Sequence, residues 1–106
     1  MSKPIFDPVI SVFVKGDSKI HENGIFYKVS YGYENENDNP IFKIQMAYNR
    51  RVKGRQAPSY TTNDFKLLAK LQPVLKAKFD DMDKRLRRIV YIYDLDNNSL
   101  RPEDSK

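Results

Sequence analysis

Residues 24–48 read GIFYKVSYGYENENDNPIFKIQMAY, and the alternation in this stretch decides the fold. In Gly24–Glu34, Ile25, Tyr27, Val29, Tyr31 and Tyr33 recur at every second position. Successive side chains of an extended chain point to opposite faces, so these five share one face and Phe26, Lys28, Ser30 and Gly32 the other. Pro40–Tyr48 alternates in the same way, with Phe42, Ile44, Met46 and Tyr48 on one face. Residues 35–40 (NENDNP) between them are polar and rich in turn formers. Two alternating runs across a short polar connection predict a β-hairpin.

Upstream, Val9–Lys15 (VISVFVK) is β-branched and aromatic and predicts another strand, with turn chemistry in residues 16–24. Downstream, residues 49–59 (NRRVKGRQAPS) form a basic loop or a turn into a short fourth strand. Thr61 or Thr62 can then cap a helix, with Asp64 favourably placed in its positive first turn. Apolar residues follow at Phe65, Leu68, Leu71, Leu75, Phe79, Met82, Leu86 and Ile89, spaced by three or four. That is the stripe of an amphipathic helix over 62–87, about 39 Å long at ~1.5 Å per residue. Pro73 removes one backbone donor inside it and predicts a kink or a break. A helix of that length overruns one small sheet. The stripe residues Phe65, Leu68, Leu71, Leu75, Phe79 and Met82 are therefore candidates for a dimer interface. Residues 89–95 (IVYIYDL) read as a possible last strand. The expectation is one α+β domain over residues 1–96, with an antiparallel sheet of three to four strands and a long helix, followed by a flexible tail over 97–106.

The 106 residues carry 19 Lys and Arg against 14 Asp and Glu, a net charge of +5, unevenly distributed. Residues 1–40 hold four cations and six anions, residues 41–88 thirteen and four, and residues 89–106 two and four. A basic block between acidic ends is the footprint of a polyanionic partner, though a solvated helix face produces similar charge. There is no cysteine and a single histidine. No thiolate nucleophile, disulfide framework, cysteine metal site or cofactor cradle can be assembled, and nothing in the spacing suggests an enzyme. No apolar run approaches the length of a membrane span, and the N-terminal apolar stretch is broken by Pro4, Asp7 and Pro8. The expected class is a cytoplasmic binding domain.

The densest signal lies between Phe42 and Phe65. Lys43, Tyr48, Arg50, Arg51, Lys53, Arg55 and Tyr60 crowd around Gly54, with Lys28 on the preceding strand. Cations neutralise phosphates and aromatic rings stack on unpaired bases, so these eight are candidate contacts for single-stranded DNA or, alternatively, RNA. Tyr27, Tyr31 and Tyr33 could form a further stacking row. Ile25 and Val29 share their face, however, so that face reads equally well as core with hydroxyls at the rim. His21, in the polar run KIHENG, reads as a lone surface histidine. Among Asp80, Asp81 and Asp83, Asp80 faces Lys84 and Asp81 faces Arg85 at i,i+4 as ordinary surface pairs, and DLDNNSLRPED lacks the glycine and the final glutamate of a calcium loop.

The order FKIQMAYN, RRVKGR, APSY and TTNDFKLL resembles the PC4-like single-stranded-DNA-binding family over roughly residues 41–79. Thr61, Phe65 and Leu68 match the places where members carry a Ser or Thr, an aromatic and a leucine. Ala57-Pro58-Ser59 replaces a glycine, the helix is longer, and the strand after it has no counterpart in the family. The resemblance implies a homodimer that binds single strands on its sheets. A second reading is a small phage-type or mobile-element protein that docks on an acidic host protein, suggested by the small size and the Asn-, Tyr- and Lys-rich composition.

Overall fold

The computed structural model describes residues 6–35, 37–54, 56–83 and 85–103. Six strands and one helix follow in the order β1 (Phe6–Lys15), β2 (Ile25–Glu34), β3 (Ile41–Tyr48), β4 (Arg51–Val52), α1 (Thr62–Asp81), β5 (Ile89–Asp94) and β6 (Ser99–Pro102). They form a single sheet ordered β4-β3-β2-β1-β5-β6. The chain is α+β, as its periodicities predict.

The hairpin of residues 24–48 lies at the heart of the sheet. Val29 pairs with Val12 on β1 and Ile44 on β3, and Tyr31 with Ile10 and Phe42. Tyr27 pairs with Val14 and Met46. Directly opposed residues point to the same side, so one face gathers the alternating apolar set of three strands. The helix lies on that face. Leu68, Leu71, Leu75 and Phe79 are all buried there, and Tyr31 stacks on Phe79 at 5.5 Å between ring centroids. Each such side chain contributes about 1.5–3 kcal/mol by leaving water. The tyrosine face is therefore core: Tyr27 and Tyr31 are buried and Tyr33 half-buried.

The sheet departs from expectation in one pairing, since β5 runs parallel to β1. The helix supplies the reason. It leaves from β4 at one edge, crosses the apolar face, and delivers β5 to the far side of β1, where Ile89 pairs with Ile10. Such crossovers produce parallel neighbours, as tight hairpins cannot. The helix is also shorter than its stripe. Thr61 caps it, its hydroxyl accepting from Asp64 N at 3.0 Å, and it continues through Pro73 as one element. It stops at Asp81, with Met82 already extended. Leu86 N donates to Asp83 O in a turn, and Ile89 enters the sheet. The last three members of the stripe, Met82, Leu86 and Ile89, thus lie beyond the helix. The expected charge pairs differ as well: Asp80 binds Lys76 at 2.7 Å, Arg85 binds Asp83 in place of Asp81 at 2.8 Å, and Lys84 lies outside the described residues.

The expected tail is corrected. Residues 97–103 form the β5–β6 turn and β6, where Leu100 pairs with Tyr93 and Glu103 N donates to Val90 O. Leu100 packs against the core, which is why this polar stretch orders. Residues 104–106 lie outside the described set.

His21 is not on the surface. It is buried beneath the β1–β2 turn, with Nε2 donating to Ser59 O at 2.9 Å and lying 3.1 Å from the Tyr27 hydroxyl. That hydroxyl is 2.7 Å from the same carbonyl and donates to Asp64 Oδ2 at 2.6 Å, and Asp17 N donates to the same carboxylate oxygen at 3.0 Å. This network fastens the helix N-terminus to β2 and to the first turn. Burial, then the hydrogen bond to Asp64, pushes the Tyr27 phenol far above its ordinary value of 10.0. A raised folded pKa means that the unfolded chain releases this proton first. Stability is therefore expected to fall as pH rises past about 10. Urea midpoints at pH 8 and 11 should show a smaller alkaline loss in Tyr27→Phe than in the parent. Equal losses would remove Tyr27 as the cause.

Candidate nucleic-acid interface

The basic segment folds into a tight hairpin because β3 ends in residues suited to one. Asn49 adopts a left-handed conformation (φ 57°), which asparagine tolerates, and its N–H donates to Gly24 O at 2.6 Å. Lys53 N donates to Met46 O at 2.8 Å, closing the turn from the other side. Arg50 is thereby held at the tip, and Arg51 pairs directly across from the exposed Tyr48. Lys53 Nζ lies 6.0 Å from the Tyr48 ring centroid.

Two grooves meet at this hairpin. One, of about 590 Å³, is lined by Tyr48, Arg51, Val52, Lys53, Gly54 and Gln56. A second, of about 500 Å³, is lined by Tyr48, Asn49, Arg50 and Arg51. No carboxylate is among the described residues lining either. Tyr48, with 48% of its surface exposed, is common to both. The arrangement places an open aromatic ring beside Arg51 and Lys53, while Arg50 lines the second groove with its guanidinium directed over Phe13 and Phe26. A ring and cations so placed suit a planar base beside a phosphodiester.

The structure distributes the eight candidate residues over several places. Tyr48, Arg50, Arg51 and Lys53 come together at the hairpin. Lys43 is on β3, bridged to Glu34 at 2.7 Å with its Nζ 5.2 Å from the Phe6 ring centroid. Lys28 sits on the sheet face away from the helix, 5.9 Å from the Phe13 ring centroid, and burial, followed by the charge of Arg88, lowers its pKa. Tyr60 is at the helix N-terminus, where its ring stacks on Tyr27 at 5.4 Å and meets Phe65 edge-on. One face of Tyr60 is therefore spent on the core. Arg55 lies outside the described residues.

The dimer-interface expectation is corrected for four of its six residues. Leu68, Leu71, Leu75 and Phe79 are consumed by the chain's own sheet, and none is more than 6% exposed. They are not available to a second subunit. Met82 is partly buried against the same core, whereas Phe65 is exposed. The stripe was too long for this sheet only while the helix was expected to reach residue 87.

Some contributors had little or no signal in the sequence. Arg50 carries its guanidinium 4.9 Å from the Phe13 ring centroid and 5.5 Å from that of Phe26, and pairs with Glu103. The alternation of Ser11 and Phe13 in β1 could have revealed the second sheet face. The pairing of residues 50 and 103 could not have been found locally. Arg88 is left-handed (φ 61°) just before β5, a conformation no local pattern predicts for arginine.

Comparison with protein-family models, curated sequences and solved structures finds no match to this chain. Among the described residues, no helix is long and apolar enough to cross a membrane.

Proposed function

We propose that this protein binds single-stranded nucleic acid, DNA in the first instance, through the β3–β4 hairpin and without catalysis. One observation carries the reading: the exposed Tyr48 stands with Arg51 and Lys53 in grooves whose described lining residues include no carboxylate, with Arg50 beside them. The cations would contact phosphates and the ring would stack on a base, neither requiring a particular sequence. Lys43 extends the same surface along β3. A cytoplasmic location and a PC4-like mode of action belong to this reading. Homodimerisation would have to use surfaces other than the buried helix stripe.

The test is a fluorescence titration with a single-stranded oligonucleotide of about 25 nucleotides, beside its duplex. Four phosphate contacts predict a slope near −2.8 for single strands, so affinity should fall roughly fifty-fold between about 50 and 200 mM salt. The duplex should bind at least about ten-fold more weakly, because its bases are already stacked on each other. Weak binding, equal for both forms, would overturn the proposal.

A further inference from the structure

The β3 strand is half-finished on its outer side. Its inner edge pairs with β2 along its whole length, from Ile41 to Tyr48. On its outer edge, among the described residues, only Met46, Ala47 and Tyr48 have partners, on β4 and on Lys53 just after it. Lys53 N donates to Met46 O, so the backbone groups of Met46 face outward. In an antiparallel strand that orientation alternates, so the N–H and C=O of Phe42 and Ile44 face outward too. Among the described residues, neither has a backbone partner on that side.

No described residue pairs with this edge beyond Met46, and beside it lies a groove of about 630 Å³. Ile44 and Gln45 line the sheet side, and residues 56–58 line the opposite wall. Lys43 and Lys53 also line it, and none of its described lining residues is a carboxylate. An unpaired edge beside an open slot is the geometry of strand addition, in which backbone bonds supply affinity and alternate side chains supply selectivity.

The geometry points to an acidic extended segment of another protein as the occupant, added to the sheet beside β3. The side chains of β3 specify its pattern. Phe42 and Ile44 lie on the helix side of the sheet, and Lys43 and Gln45 on the other. Cross-strand pairs favour apolar against apolar and opposite charges against each other. The added strand should therefore alternate apolar and acidic residues, its carboxylates beside Lys53 and beside Lys43, where they would compete with Glu34. This use of the edge shares Lys43 and Lys53 with the proposed nucleic-acid surface but depends on the backbone of Phe42 and Ile44, so either can fail without the other.

The probe is a blocked, labelled octapeptide of alternating Val and Glu. It should bind the full chain and slow amide exchange at Phe42 and Ile44. The same peptide N-methylated at alternate residues should not bind, and the Val-Lys peptide should bind at least about ten-fold more weakly. Lys53→Glu should weaken the Val-Glu peptide by a similar factor. Equal binding of the acidic and basic peptides, or binding without slowed exchange at Phe42 and Ile44, would overturn the inference. So would slowing that grows with protein concentration and needs no peptide, which would give the edge to a second copy's β3. Slowing produced by a single-stranded oligonucleotide instead would assign the slot to nucleic acid and overturn it equally.

Discussion

Replacing Arg50 and Arg51 together by glutamate is expected to weaken single-stranded oligonucleotide binding at least about a hundred-fold at low salt. Each phosphate contact on a single strand contributes about 0.7 to the salt slope, worth roughly eight-fold in affinity at ~50 mM salt. Two lost contacts amount to about sixty-fold, and two new carboxylates facing the backbone add repulsion. The salt slope itself should become shallower by about 1.4. The two arginines differ in what else they do. Arg51 is exposed, with no ion pair or ring contact among the described residues. Arg50 pairs with Glu103 and lies over Phe13 and Phe26, so its loss also removes packing. Arg51→Glu alone should therefore give about half of the logarithmic loss with an unchanged urea midpoint. Unchanged affinity in the double variant, with the fold intact, would refute the hairpin as the binding surface.

The second large effect concerns stability. Gly32→Ala is expected to destabilise the fold by about 3 kcal/mol, because the new methyl has nowhere to go. A Cβ at Gly32 would stand 2.2 Å from Asp7 O and 2.8 Å from Pro8 Cα, both backbone atoms of the neighbouring strand. The obstruction lies where the β1–β2 register shifts, between Pro8 and Ile10. A flexible side chain could yield at such a contact, but a paired backbone must open its ladder. At about 4 °C or more per kcal/mol, the melting temperature should drop by roughly 12 °C or more. Gly54→Ala is the control, since a Cβ there meets nothing within 4 Å. It should stay within about 0.5 kcal/mol. A Gly32→Ala protein melting like the parent would show that β1 can shift at the bulge without losing its pairing.

These two sites differ in how far the sequence exposes them. The cations at 50 and 51 are visible as residue types in a basic run, and their chemistry needs no fold to be recognised. Gly32 is one glycine in an alternating strand, and only the approach of Asp7 and Pro8 gives it consequence. The tyrosine row stands between these cases. Its shared face follows from the period of a strand, but whether that face meets water or a helix depends on where α1 lands. His21 departs from its local pattern for the same reason. Its neighbours are polar, yet Tyr27 and Ser59 come from distant positions to bury it.

In the sequence by itself, local patterning predicts that the chain is α+β, that residues 24–48 form a hairpin, and that a helix begins at Thr61 or Thr62. These depend on periods of two and 3.6 residues and on a cap, which are local properties of the backbone. It also determined where positive charge and aromatic rings concentrate. Tertiary structure alone decided that β5 runs parallel to β1, that the helix stops at Asp81, and that its leucines serve this chain's own sheet. It alone decided that, among the described residues, β3 is left without an outer partner at Phe42 and Ile44. Each of these depends on which surfaces meet after the chain has crossed its own sheet, and contacts between distant residues have no period for a sequence to display.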